Sequence, residues 1–253
     1  MNIDLSGKIA LVTGGSGNLG SVMAKTLAKC GADIVINYYK NKQRALELQK
    51  LIEELGQLCM IIQADVTRLK DVMGMKKNIE KKLGNPDIIV NNAVIQYKWA
   101  DILQQKPEDF HSQFESCVMH NVYMIKAFVP AMKEKKYGRV IGINTECAIQ
   151  NDISQSAYVA GKRGMDGLLR VLAKEIGAYN ITVNQVAPGW TVTEADRKSG
   201  IVSKPEYENK VPLKRRGTDQ EIANLVAFLA SDLASFITGA FIPVCGGNVM
   251  PAI

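Results

Sequence analysis

Aromatic and metal-ligating residues are scarce in this chain. Phe, Trp and Tyr make up 6% of its 253 residues, and only two histidines occur, His111 and His120. Neither stands at a metal-like spacing from a cysteine, so helix-surface or packing roles are expected for both, and no metal. The five cysteines, Cys30, Cys59, Cys117, Cys147 and Cys245, are scattered without a C-x-x-C pair. That pattern suits unpaired thiols in a reducing compartment and speaks against a disulfide framework. Long apolar runs are missing too, none approaching the roughly 18–20 residues that span a bilayer. A first strand beginning near Lys8 leaves no room for a secretory leader, so a cytoplasmic location without a membrane partner is expected.

The composition is otherwise that of an ordinary globular protein, 47% hydrophobic and 22% charged, suited to one α/β domain over residues 1–253. Basic residues outnumber acidic ones by 31 to 25, a net charge of +6. The clusters are Lys76-Lys77 with Lys81-Lys82, Lys133 with Lys135-Lys136, and Lys214-Arg215-Arg216. A nucleic-acid face would interleave aromatics, and none does here. Two clusters fall in the last turns of helices, where cations complement the dipole. No nucleic-acid partner is expected; the positive field suits an anionic cofactor.

Apolar runs at Ile9–Val12, Ile34–Ile36, Met60–Ile62, Ile88–Val90, Val140–Ile143, Thr182–Val186 and Phe241–Val244 read as strands. Helical stretches separate them, near Leu19–Lys29, Gln43–Leu55, Leu69–Leu83, Phe110–Lys133, Ala157–Ala178 and Gln220–Ala230. Continuous apolar strands alternating with helices predict an α/β fold: a doubly wound, Rossmann-type parallel sheet of about seven strands with helices on both faces. The polar stretch from Thr191 to about Lys214 reads as an irregular lid over a site.

Two motifs carry chemistry. Thr13-Gly-Gly-Ser-Gly-Asn-Leu-Gly20 comes directly after the first strand. Gly14 lets the chain turn, Gly20 lets helix and sheet approach, and the next helix offers free N–H groups to a phosphate. Asn18 stands where a middle glycine is usual; asparagine tolerates left-handed angles, so the turn survives. In Tyr158-Val-Ala-Gly-Lys162 the phenol and the amine share one helix face. An ammonium there favours the phenolate and makes the tyrosine a usable acid/base. Proton transfer beside a dinucleotide site points to carbonyl–alcohol redox chemistry.

The ordered set extends along the chain: Asp65-Val66, Asn91-Asn92-Ala93, Asn121, Thr145, Asn184 with Pro188-Gly189, Thr238-Gly239 and Gly246-Gly247. With both motifs, these make the chain resemble the short-chain dehydrogenase/reductase family over nearly its whole length. The resemblance implies an NAD(P)-dependent oxidoreductase moving hydride between a nicotinamide cofactor and a ketone or secondary alcohol. It implies that Tyr158 is the acid/base and that Lys162 lowers its pKa and holds the nicotinamide ribose. Asn121 would support a water relay, and Thr145 stands where the family has a catalytic serine. Gly14, Ser16, Asn18, Leu19 and Gly20 would cradle the cofactor, with Tyr38 and Lys40 at the adenosine ribose. Asp65 and Val66 would meet the adenine, and Asn92 and Ala93 would pass beside the ribose. Pro188, Gly189, Thr191 and Thr193 would line the nicotinamide and the lid root. Turn capping is an alternative role for Asp65 or Asn92.

Departures from the family pattern matter. Val94 replaces a usual glycine, Cys245 a common aspartate, and Glu146 is an unusual acid that faces either the site or solvent. Between Ile36 and Lys42 there is no carboxylate but two lysines, which favours NADP(H); Gly17, where NADP-preferring relatives often carry a basic residue, keeps NAD(H) as the alternative. The pattern looks most like 3-oxoacyl-carrier-protein reductases, with sugar or polyol dehydrogenases the alternative. Lys136 matches one carrier-docking position, while Tyr179 replaces the other. Gln96, Tyr97, Trp99, Gln150, Asn151, Gln155 and Trp190 mix amides with aromatics around the expected substrate pocket. A redox-silent binding protein on this fold would lack Tyr158 or Lys162. Family resemblance and the apolar Val118, Met119, Leu168, Leu169 and Leu172 imply a homotetramer, with a dimer as the alternative.

Overall fold

Each strand is a short apolar run, and burying both faces of such runs requires a parallel sheet covered by helices. In the computed structural model, which describes residues 2–251, seven strands do this. They are β1 (Ile9–Val12), β2 (Asp33–Tyr38), β3 (Cys59–Gln63), β4 (Ile88–Asn91), β5 (Gly138–Ile143), β6 (Ile181–Pro188) and β7 (Phe241–Val244). All neighbours pair in parallel, in the order β3-β2-β1-β4-β5-β6-β7. The order reverses between β1 and β4, so the chain departs to opposite sides there and opens a crevice at the strand ends.

The covering helices are α1 (Asn18–Lys29), α2 (Lys42–Glu53), α3 (Leu69–Lys82), α4 (Pro107–Gln113), α5 (His120–Lys135), α6 (Cys147–Gln150), α7 (Ser156–Ile176), α8 (Glu194–Ser199), α9 (Pro205–Glu208) and α10 (Asp219–Ala230). On one face Met23 and Leu27 of α1 and Ile222 and Val226 of α10 pack against Val12, Ile34 and Ile36. On the other, Ile79 of α3, Phe128 of α5 and Leu169 of α7 pack against Leu11, Val35 and Val140. Burial of each such side chain contributes about 1.5–3 kcal/mol. Among the described residues no helix is long and apolar enough to cross a membrane.

The structure differs from the sequence pattern in two places that matter for the site. The expected continuous helix 110–133 is α4, a π-helical turn at Phe114–Met119, and α5. A π turn adds a residue and rotates the face that α5 presents, and Asn121 comes out only 1% exposed. The stretch 191–214 is not wholly irregular either. Thr193 and Asp196 form a capping box that starts α8, and Pro205 sits at the head of α9. Both helices are shorter than two turns, too short to leave a periodic apolar pattern.

Candidate active site

The turn after β1 is built from close backbone approaches. Gly14 has φ +59° and donates to Asn37 Oδ1 at 3.2 Å, while Gly15 donates to the Asn37 carbonyl at 2.9 Å. A Cβ on Gly20 would lie 2.4 Å from the Gly14 oxygen, so only glycine fits there. Gly17 caps α1 without a side-chain hydrogen bond, which leaves the first-turn N–H groups to an anion. Asn18 is the first residue of α1 and is not among the residues with positive φ, so the left-handed tolerance expected of it is not used. Its Oδ1 instead accepts a 3.0 Å hydrogen bond from Arg44 on α2. Ser16 is buried in the turn, and Leu19 packs against the core.

The neighbouring strand ends close around this turn. Asn92 Nδ2 donates to the carbonyls of Thr13 and Gly14 at 3.0 and 3.3 Å, and the Asn92 and Ala93 N–H groups both donate to Thr13 Oγ1. Asp65 accepts from the N–H and hydroxyl of Thr67 at 3.0 and 2.6 Å, a turn cap. Val66 is buried. Both capping roles left open by the sequence are therefore present. Tyr38 is 5% exposed and belongs to the core cluster with Ala45 and Leu48. Lys40 is exposed beside the Tyr39 ring.

Tyr158 and Lys162 rise from the first turns of α7, and Thr145 lies just beyond β5. Tyr158, Thr145 and Glu146 line a cavity of about 460 Å³ together with Tyr97, Trp99 and Trp190. The Trp99 ring stacks on Tyr158 at 6.2 Å between centroids, and Tyr97 Oη accepts from the Tyr158 N–H at 2.9 Å. Lys162 is 4% exposed; its Nζ donates to the Ile143 carbonyl at 2.6 Å and lies 5.7 Å from the Tyr158 ring centroid. Asn121 Oδ1 accepts from Asn91 at 2.7 Å while its Nδ2 donates to the Cys117 carbonyl at 2.7 Å, which braces β4 against the π turn.

Proton affinities here are governed first by burial. It pushes the Tyr158 phenol well above its ordinary value, with Cys147 and Cys117 acting in the same direction and the Thr145 hydroxyl opposing. It pulls the Lys162 ammonium down. The lowering of Tyr158 by Lys162 expected from their spacing is not among the influences on the phenol, which burial dominates. Lys162 is withdrawn from water and engaged by a main-chain carbonyl, while Tyr158 is half-buried on the cavity wall. Glu146 faces inward. It is 3% exposed, accepts from Tyr207 Oη at 3.2 Å and from Asn248 Nδ2 at 3.0 Å, and burial pushes its carboxyl up.

The start of the 191–214 stretch is held by a residue that the sequence shows only as part of a basic cluster. Arg216, 3% exposed, donates to the carbonyls of Trp190 (3.2 Å), Thr191 (2.8 Å) and Ile201 (3.1 Å) and pairs with Asp196 at 3.2 Å. Thr191 Oγ1 donates to the Gly189 carbonyl, and Thr193 caps α8. Pro188 ends β6. Asn37, Arg44, Tyr207 and Arg216 were all missed. Their partners lie in loops or at helix starts remote in sequence, where periodicity leaves no signal. His120, expected on a surface or in packing, is fully buried beneath the site, its Nδ1 3.1 Å from the Ser116 carbonyl.

Similarity to known proteins agrees with this geometry. The family profile described as Enoyl-(Acyl carrier protein) reductase matches residues 15–248. A 3-oxoacyl-[acyl-carrier-protein] reductase of Pseudomonas aeruginosa is 34% identical over 249 residues, covering 98% of this chain and 100% of the relative. Its counterpart in Staphylococcus epidermidis is 35% identical over 243 residues, 96% and 99% of the two chains. The crystal structure of an NAD+-bound xylitol dehydrogenase matches with a TM-score of 0.89 and 27% identity, over 96% of this chain and 99% of that one. The chain belongs to the short-chain dehydrogenase/reductase family and is an NAD(P)-dependent oxidoreductase acting on ketone or secondary alcohol groups. The glycine cradle and the uncapped α1 N-terminus fit such a dinucleotide, which when bound supplies or accepts the hydride.

Proposed function

We propose that this enzyme reduces the ketone of a 3-oxoacyl thioester on an acyl carrier, with NADP(H) as the preferred dinucleotide. The observation that carries the chemistry is the placement of Thr145 and Tyr158 on one cavity wall with Lys162 buried behind them. Tyr158 Oη delivers the proton to the carbonyl oxygen, and Thr145 Oγ1 donates to that oxygen and orients it. Lys162 holds the cofactor's ribose hydroxyls and favours the phenolate once the proton has left. Asn121 braces the relay that returns the proton. Gly14, Ser16, Asn18, Leu19 and Gly20 cradle the phosphates, and Asp65, Val66, Asn92, Ala93, Pro188, Gly189, Thr191 and Thr193 border the rest of the dinucleotide. The 3-oxoacyl reductase activity of the Pseudomonas and Staphylococcus relatives supports the thioester reading.

A second reading, oxidation of a polyol, draws on the cavity's acids. Glu146, Asp152 and Glu206 face it against a single Lys210, which favours a neutral, hydroxyl-bearing substrate. The activity of the xylitol dehydrogenase supports the same reading. Initial rates of dinucleotide turnover with an acetoacetyl thioester and with xylitol, under both cofactors, separate the two. Faster turnover of xylitol with NAD+ than of the thioester with NADPH would overturn the first.

The remaining parts of the reading are a single domain over residues 1–253, a cytoplasmic location and a lid over residues 191–214. A homotetramer completes it. Val118, Leu169 and Leu172 are already buried within the chain, so the apolar residues left for pairing are led by the half-exposed Phe114 and Val171. Sedimentation showing a stable monomer at micromolar concentration would contradict the tetramer.

A further inference from the structure

The two lysines after β2 and Gly17 in the phosphate loop point to different cofactors, and a third residue stands between them. Arg44, in the first turn of α2, extends its guanidinium to the start of α1. There Nη1 donates to Asn18 Oδ1 at 3.0 Å. From the other side Nη2 pairs with Glu194 at the head of α8, at 2.8 Å. One side chain therefore links the glycine-rich turn to the lid. Asn18, the residue that departs from the family's glycine, supplies the acceptor that aims it.

The arrangement leaves Arg44 free to change partner. Its side chain is 32% exposed and that of Glu194 42%. Ion pairs exposed to this degree are weak and easily exchanged. Glu194 does not depend on Arg44, because Lys198 pairs with it at 2.7 Å and Lys25 adds a further positive charge. Two of the five guanidinium N–H donors are used in the contacts to Asn18 and Glu194, and a planar fork matches a phosphate bidentately. The end of β2 and the start of α2 is where a Rossmann-type site distinguishes a ribose hydroxyl from a 2′-phosphate. Tyr38 is turned into the core there, and Lys40 stands in solvent beside Tyr39.

We propose that Arg44 is the specificity-determining residue for the cofactor's 2′-phosphate and that Glu194 is its internal competitor, so that lid and cofactor share one guanidinium. This rests on the proposed use of NADP(H) and assigns its recognition to a residue outside the phosphate loop. Gly17 can then lack a basic side chain because α2 supplies the charge.

Dissociation constants for NADPH and NADH, measured by quenching of tryptophan fluorescence without substrate, test it. Arg44→Met should weaken NADPH binding by about tenfold or more, the loss of one charge-assisted contact, while NADH changes by less than about threefold. Glu194→Gln should tighten NADPH and leave NADH unchanged. In the Arg44→Met background the Glu194→Gln gain should vanish. That result separates competition for Arg44 from plain repulsion of the phosphate by Glu194, which would persist. Equal weakening of both cofactors by Arg44→Met, or a Glu194→Gln gain that survives without Arg44, would overturn the inference alone. A wild-type protein that binds NADH more tightly than NADPH would overturn the proposed cofactor and this inference with it.

Discussion

Lys162 donates from Nζ to the carbonyl of Ile143, the last residue of β5, at 2.6 Å. The contact anchors α7 to the end of the central sheet and holds the amine 5.7 Å from the Tyr158 ring centroid. Tyr158, the proposed proton donor, and Lys162 are thereby carried on rigid elements rather than on a loop. Replacing Tyr158 by Phe removes the donor without disturbing the ring stacked on Trp99. Turnover is expected to fall by at least the roughly 10²–10⁴-fold typical of acid/base catalysis, with cofactor affinity nearly unchanged. Steady-state rates and a cofactor titration on the same preparation check this; near-normal kcat in the phenylalanine variant would refute the role.

Thr145 differs from the family's serine by one methyl group. Because Thr145 is 7% exposed on the cavity wall, Thr145→Val should cost kcat heavily while leaving thermal stability close to wild type. Thr145→Ser keeps the donor, frees χ1 and should be neutral or faster. The comparison is of kcat for both variants. Equal activities would show that the hydroxyl has no part in orienting the carbonyl.

Arg215 and Arg216 are adjacent in sequence and opposite in role. Arg215 is half exposed and pairs with Glu221, whereas Arg216 is buried among the carbonyls of Trp190, Thr191 and Ile201. Arg216→Ala strands those acceptors and should destabilise the protein by about 2–3 kcal/mol, with a raised KM. Arg215→Ala should cost no more than about 1 kcal/mol. Urea unfolding of the two variants decides; similar losses would mean that Arg216 does not hold the 191–214 stretch.

His120 makes stability depend on pH. Burial, reinforced by the nearby Lys162 charge and opposed by the Ser116 and Ala93 main chain, lowers its pKa from 6.5 to about 4. The folded state therefore binds fewer protons than the unfolded chain between those values. The stabilisation is full above about pH 6.5 and is lost as pH falls toward about 4. Between pH 7 and pH 5 the loss should be about 2 kcal/mol. His120→Gln should remove that share of the slope in urea unfolding at the two pH values. An unchanged slope in the variant would show that His120 is not the titrating group.

The strand positions, the parallel sheet, the glycine-rich turn and the Tyr158–Lys162 pair were legible in the chain because each is local. Apolar runs mark strands buried on both faces, and a four-residue spacing places two side chains on one helix face whatever surrounds them. The three-dimensional fold decided whatever depends on residues distant in sequence. Asn37 tethers Gly14, Arg216 gathers the carbonyls of Trp190, Thr191 and Ile201, and Arg44, which holds Asn18, reaches Glu194 across 150 positions of the chain. It also decided that Glu146 faces inward and that Tyr38 is spent in the core, since orientation is set by packing. Proton affinity divides the same way. The spacing of Tyr158 and Lys162 says that they share a face, but only their surroundings in the fold make desolvation the leading influence on both.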